Sequence, residues 1–85
     1  MKLRFTGNFI KAYRRLPQPI REAADKQLGL LLSKLDHPSL NRKKIQGMPG
    51  IWEARVTKAY RFTFQVEGDL YILRNIGTHD MLDKP

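Results

Sequence analysis

Between residues 50 and 66 the chain alternates apolar and polar positions in two runs. Trp52, Ala54 and Val56 alternate with Glu53, Arg55 and Thr57, and Phe62, Phe64 and Val66 alternate with Arg61, Thr63 and Gln65. A strand turns successive side chains to opposite faces, so each run reads as a strand with one apolar and one polar face. A tight turn at Lys58 and Ala59 joins them into a hairpin. Its apolar face needs a helix layer to cover it, and its other face carries Arg55 and Arg61.

The rest of the pattern supplies that layer. Residues 2–6 alternate about Leu3 and Phe5 and predict a short first strand, broken at Gly7 and Asn8. Asn8 is a candidate cap for a helix whose apolar positions Phe9, Tyr13 and Leu16 recur at helical spacing. After Leu16-Pro17-Gln18, Pro19 suits the entry of a second helix, where a missing amide proton costs nothing. Over residues 20–35 the stripe Ile20, Ala24, Leu28, Leu31 and Leu35, widened by Ala23, Leu30 and Leu32, predicts a long helix that ends at Asp36-His37-Pro38. A short strand is expected around residues 43–45. The turn Glu67-Gly68-Asp69 leads into a last strand over residues 70–76. A three-residue loop, favoured over a two-residue one that would invert the facing, puts Leu70, Ile72 and Ile76 on the core face with Phe62 and Phe64 and leaves Tyr71 and Leu73 exposed. Residues 77–85 read as a turn or tail. The fold class is α+β, a single domain over residues 1–85, with a helical hairpin on one face of a twisted antiparallel sheet.

Composition then narrows the function classes. Sixteen Lys and Arg against eight Asp and Glu give a net charge of +8 over 85 residues, a field that attracts polyanions, with nucleic acid the first candidate. An acidic protein partner ranks second. No segment has the apolar length of a membrane span and the opening residues lack a signal-peptide core, so a soluble cytoplasmic protein is expected. The absence of cysteine agrees with a reducing compartment. Two distant histidines and no cysteine supply no zinc set, and neither a P-loop nor a dinucleotide fingerprint is present, so no metal or cofactor is expected.

Candidate chemistry gathers on the polar sheet face. Arg55 and Arg61, flanked by Thr57, Thr63 and Gln65, make a cradle for a phosphate, with Lys43, Lys44 and Arg74 as further candidate nucleic-acid-binding cations. His79 follows Gly77-Thr78 at the end of the last strand and suits proton transfer. Glu53 shares the face with Arg55 and is a candidate base or an ion-pair partner. Trp52, Phe62 and Phe64 fall on the apolar face by parity, as core residues rather than base-stacking platforms.

The order strand, two helices, antiparallel sheet resembles the RelE/ParE toxin superfamily. So do Gly50-Ile51-Trp52-Glu53-Ala54-Arg55-Val56, Ala59-Tyr60-Arg61-Phe62 and Ile76-Gly77-Thr78-His79-Asp80. The likeness spans nearly the whole chain and includes Phe5-Thr6, the Leu16-Pro17 link and the segment Pro38–Leu40 before a basic run. It implies the toxin half of a toxin–antitoxin pair that cleaves mRNA on the ribosome without a metal, bound in turn by a cognate antitoxin. On this resemblance Arg61 is the core arginine, His79 the terminal histidine used by several branches, Arg55 a basic strand position, and Lys43 or Lys44 part of the preceding active-site segment. Two departures are plain. No tyrosine follows the last strand, and Glu53 and Ala54 replace part of a lysine-rich pattern. The implied roles are Arg61 and Arg55 on the transition-state charge, His79 as general acid and Glu53 as base. Two alternatives share the fold: a non-enzymatic gyrase inhibitor and an inactive basic binding module.

Overall fold

The first strand finds its partner at the far end of the chain. In the computed structural model, which describes residues 1–81 apart from the side chain of Met81, β1 (Lys2–Phe5) runs parallel to β5 (Leu70–Thr78). Between them lie α1 (Gly7–Arg14), α2 (Gln18–Ser33), a 3-10 turn at Pro38–Leu40, β2 (Lys43–Lys44), β3 (Ile51–Arg55) and β4 (Tyr60–Glu67). The sheet order is β1-β5-β4-β3-β2, antiparallel throughout except for β1. Because β1 and β2 occupy opposite edges, the helical hairpin that joins them crosses one whole face.

That face is the core. Phe9, Ala24, Leu28, Leu31 and Leu40 pack on Ala54, Phe62, Phe64, Tyr71, Leu73 and Ile76. Phe62 and Phe64 are buried, as their parity predicts, while Trp52 is only half-buried and packs against that core, stacked beside Phe64 with ring centroids 6.4 Å apart. Within the hairpin of helices, the Tyr13 hydroxyl donates to Asp25 at 2.7 Å, and that bond raises the phenol pKa above its usual value.

Several expectations are corrected. The cap of α1 is Thr6, not Asn8: its Oγ1 accepts the Phe9 amide at 3.1 Å and also reaches the carbonyls of Leu73 and Arg74 at 3.0 and 3.1 Å. A tertiary contact thus decides between two cap-forming residues on either side of Gly7. The α2 helix is Gln18–Ser33, with Leu35 beyond it and Leu32 exposed. The loop between β4 and β5 has two residues, Gly68 and Asp69, because Glu67 pairs with Leu70; Gly68 adopts a φ of 58°, which glycine takes without strain. Tyr71 and Leu73 therefore point into the core, while Ile72 lies on the opposite face beside Gln65. A bulge at Arg74 then shifts the register, so that Thr63 pairs with Asn75 and Phe62 with Ile76, and Ile76 returns to the core as expected. Val66 has core-face parity but is exposed. Strand β5 includes Gly77 and Thr78, and a 3-10 turn, His79–Met81, follows it. The side chain of Met81 lies outside the described part, as do residues 82–85 of the expected tail.

Helix α2 also fixes the polar face through a single buried side chain. Gln27, 6% exposed, donates from Nε2 to the carbonyls of Ser39 at 3.2 Å and Arg55 at 2.9 Å. Gln27→Leu leaves both carbonyls without this donor and is expected to lower the unfolding free energy by roughly 2 kcal/mol. Urea denaturation reads the change, and an unshifted midpoint would contradict it.

Candidate active site

The uncovered face of the sheet presents Glu53 and Arg55 from β3, Arg61, Thr63 and Gln65 from β4, and Asn75 and Gly77 from β5. Cross-strand pairing sets Glu53 against Thr63 and Arg55 against Arg61. Strand β2 adds Lys43 opposite Glu53. Lys44 is one residue out of phase and leaves this face: it pairs with Trp52, and its Nζ lies 5.4 Å from the indole centroid, with Arg42 a second cation at 5.5 Å. Of the two lysines singled out in sequence, the structure therefore brings only Lys43 to the cleft.

Arg61 is the most constrained cation. Its Nη1 donates to the carbonyls of Thr57, Tyr60 and Lys58 at 2.6, 2.9 and 3.0 Å. It thus closes the β3–β4 turn, whose other lock is Thr57 Oγ1, acceptor for the amides of Ala59 and Tyr60. Arg61 Nε faces Glu53 Oε1 at 3.7 Å, and Lys43 Nζ lies 3.9 Å from the same oxygen. Arg74, the bulge residue, donates from Nη1 to Gln65 Oε1 at 2.6 Å, which holds it against this face. Its place was not readable from alternation, because the bulge alone sends it there.

Among the described residues the buried side-chain polar atoms without a hydrogen-bond partner are Glu53 Oε1, Arg55 Nε, Thr63 Oγ1 and Arg74 Nε. All four belong to this face, with Thr63, fully buried, in the middle. Buried polar atoms are normally paired, so their concentration in one place makes this face the candidate site. Thr63 was the residue whose weight sequence could not give, since nothing in a threonine on a polar face announces that it will be fully buried.

His79 is exposed and stands at the turn end of the same hairpin, where its amide donates to the Ala59 carbonyl at 3.1 Å. It begins two residues beyond Gly77, the partner of Arg61. His37 has a structural duty, with Nδ1 accepting the Ser39 amide at 3.2 Å to cap a 3-10 turn. Among the described residues no three His, Asp or Glu side chains gather as a metal-binding group, and no helix is long and apolar enough to cross a membrane.

Solved structures match this architecture over almost its whole length. A YoeB/ParE toxin from Agrobacterium tumefaciens superposes with a TM-score of 0.79 at 21% identity, over 93% of this chain and 99% of that one. The chain has the RelE-like toxin fold. YafQ from E. coli strain BL21(DE3) gives a TM-score of 0.81 at 15% identity, over 95% and 96% of the two chains. A chain of the RelB–RelE antitoxin–toxin complex from Methanococcus jannaschii gives 0.76 at 23% identity, over 92% of each. No protein-family model matches the sequence. No curated protein matches it either. Identities at this level establish the RelE-like fold, and the site must carry the functional argument.

Proposed function

We propose that this chain is the toxin of a toxin–antitoxin pair and a metal-independent endoribonuclease that cleaves mRNA on the ribosome. The observation that carries the reading is the cluster of buried, unpartnered polar atoms on an arginine-lined sheet face, in a chain with the RelE-like fold. The substrate's 2′-hydroxyl attacks the adjacent phosphorus while Glu53 takes its proton, and the bond from phosphorus to the 5′-oxygen breaks as His79 supplies a proton to that oxygen. Arg61 and Arg55 stabilise the charge that builds on the phosphoryl oxygens. Lys43 and Arg74 hold flanking backbone.

The partner in this reading is an antitoxin polypeptide, as RelB is in the complex with RelE and DinJ in the complex with YafQ. The apolar surface available to it is not Tyr71 and Leu73, which are buried. It includes Phe5 and Ile10, which with Phe9, Tyr13 and Leu28 line a groove of about 260 Å³.

Primer extension on ribosome-bound mRNA tests the activity, with discrete cleavage by the wild-type protein the expected result. Absence of cleavage, together with inhibition of gyrase supercoiling by the purified protein, would replace this reading with the gyrase inhibitor.

A further inference from the structure

Glu53 is an acid placed among cations that it does not properly bind. Its Oε1 is buried and lies 3.7 Å from Arg61 Nε and 3.9 Å from Lys43 Nζ, yet no described residue donates it a hydrogen bond. Both distances are ion-pair separations beyond hydrogen-bond range. Across the ladder, Thr63 Oγ1 is buried with no partner, and two residues along β3 towards the turn, on the same face, stands Arg55, whose Nε is in the same condition. A carboxylate oxygen buried without a directional donor is poorly compensated, and donors buried without an acceptor are equally so. A tetrahedral phosphate, with more oxygens and wider reach than a carboxylate, would satisfy both at once.

We propose that Glu53 is an internal stand-in for a phosphodiester. In the free protein its carboxylate fills an anion subsite formed by Lys43, Arg61 and Thr63, and a phosphate group displaces it. The inference rests on the ribonuclease reading for the identity of the incoming phosphate as that of an RNA strand. Displacement transfers the two cations from Glu53 to the phosphate. The released carboxylate stands beside the bound phosphodiester, where it can accept the 2′-hydroxyl proton. Binding of the phosphate therefore frees the base that acts on it, which in the empty site is held in ion pairs with Lys43 and Arg61.

A general effect of net charge must be separated from this displacement, and Glu67 provides the control. It belongs to the same sheet face, on β4, but is exposed, and its neighbour is Gln65, 3.4 Å away. Inorganic phosphate is titrated by NMR into the wild type, Glu53→Gln, Glu53→Ala and Glu67→Gln. A 2′-O-methyl RNA oligonucleotide, which cannot be cleaved, is titrated in parallel, and thermal melts confirm that each variant is folded. Both Glu53 variants are expected to bind phosphate roughly tenfold more tightly, following loss of a competing buried charge. Glu67→Gln is expected to gain less than about twofold, as befits an exposed charge. The RNA titration should repeat this order. Equal gains at Glu53 and Glu67, or no gain at Glu53, overturn the subsite. A gain toward phosphate without one toward RNA overturns its assignment to the substrate. Absence of mRNA cleavage by the wild type sinks the ribonuclease reading separately, and the phosphate order still judges the subsite.

Discussion

Arg61→Ala is expected to slow mRNA cleavage by about 100- to 1,000-fold, the scale on which removal of one preorganised donor to a charged transition state is felt. The same substitution has a structural cost. Arg61 Nη1 serves the carbonyls of Thr57, Lys58 and Tyr60, so its loss opens the β3–β4 turn and is expected to lower stability by roughly 1–3 kcal/mol. The two effects separate with Arg61→Lys, which keeps the charge but not the planar fork and should recover only part of the rate. Single-turnover cleavage and thermal unfolding measured on the same preparations give both quantities. A folded alanine variant that cleaves within about threefold of wild type would remove Arg61 from the chemistry, because no donor to the transition state is lost so cheaply.

His79→Ala is expected to lower cleavage by about 100- to 10,000-fold, the range of general acid catalysis, with little change in stability. The ring is exposed, and the bond from this residue to Ala59 is made by its backbone amide, which alanine retains. A specific rescue identifies the role. A substrate carrying sulfur in place of the scissile 5′-oxygen has a leaving group that needs no proton, and on it the variant should approach the wild-type rate. An equal defect on both substrates would assign His79 to positioning rather than proton donation.

The hairpin was legible in the sequence because its two strands alternate strictly over residues 52–57 and 61–66, and with it came the polar face and its two arginines. The last strand was half legible. Alternation predicts facing only while the ladder is regular, and the extra residue at Arg74 inverts Leu70 to Leu73 relative to Asn75 and Ile76. Lys43 and Lys44 differ by one position and hence by a whole face. That distinction needs the register of β2 on β3, which a turn containing Gly47 and Gly50 at positive φ sets. The burial of Thr63 and the ion pairs of Glu53 depend on which long side chains lie down over the face, and local sequence carries no record of that.

The parallel pairing of β1 with β5 gives the chain an order of assembly. Thr6 caps α1 and at the same time reaches the carbonyls of Leu73 and Arg74, residues 67 and 68 positions away. A growing polypeptide can form its helical hairpin early, but the sheet edge and the bulge that aims Arg74 wait for a strand made much later. Contacts of such separation slow folding. A ribosome synthesising this protein thus carries, for most of the task, a chain in which the arginine face does not yet exist.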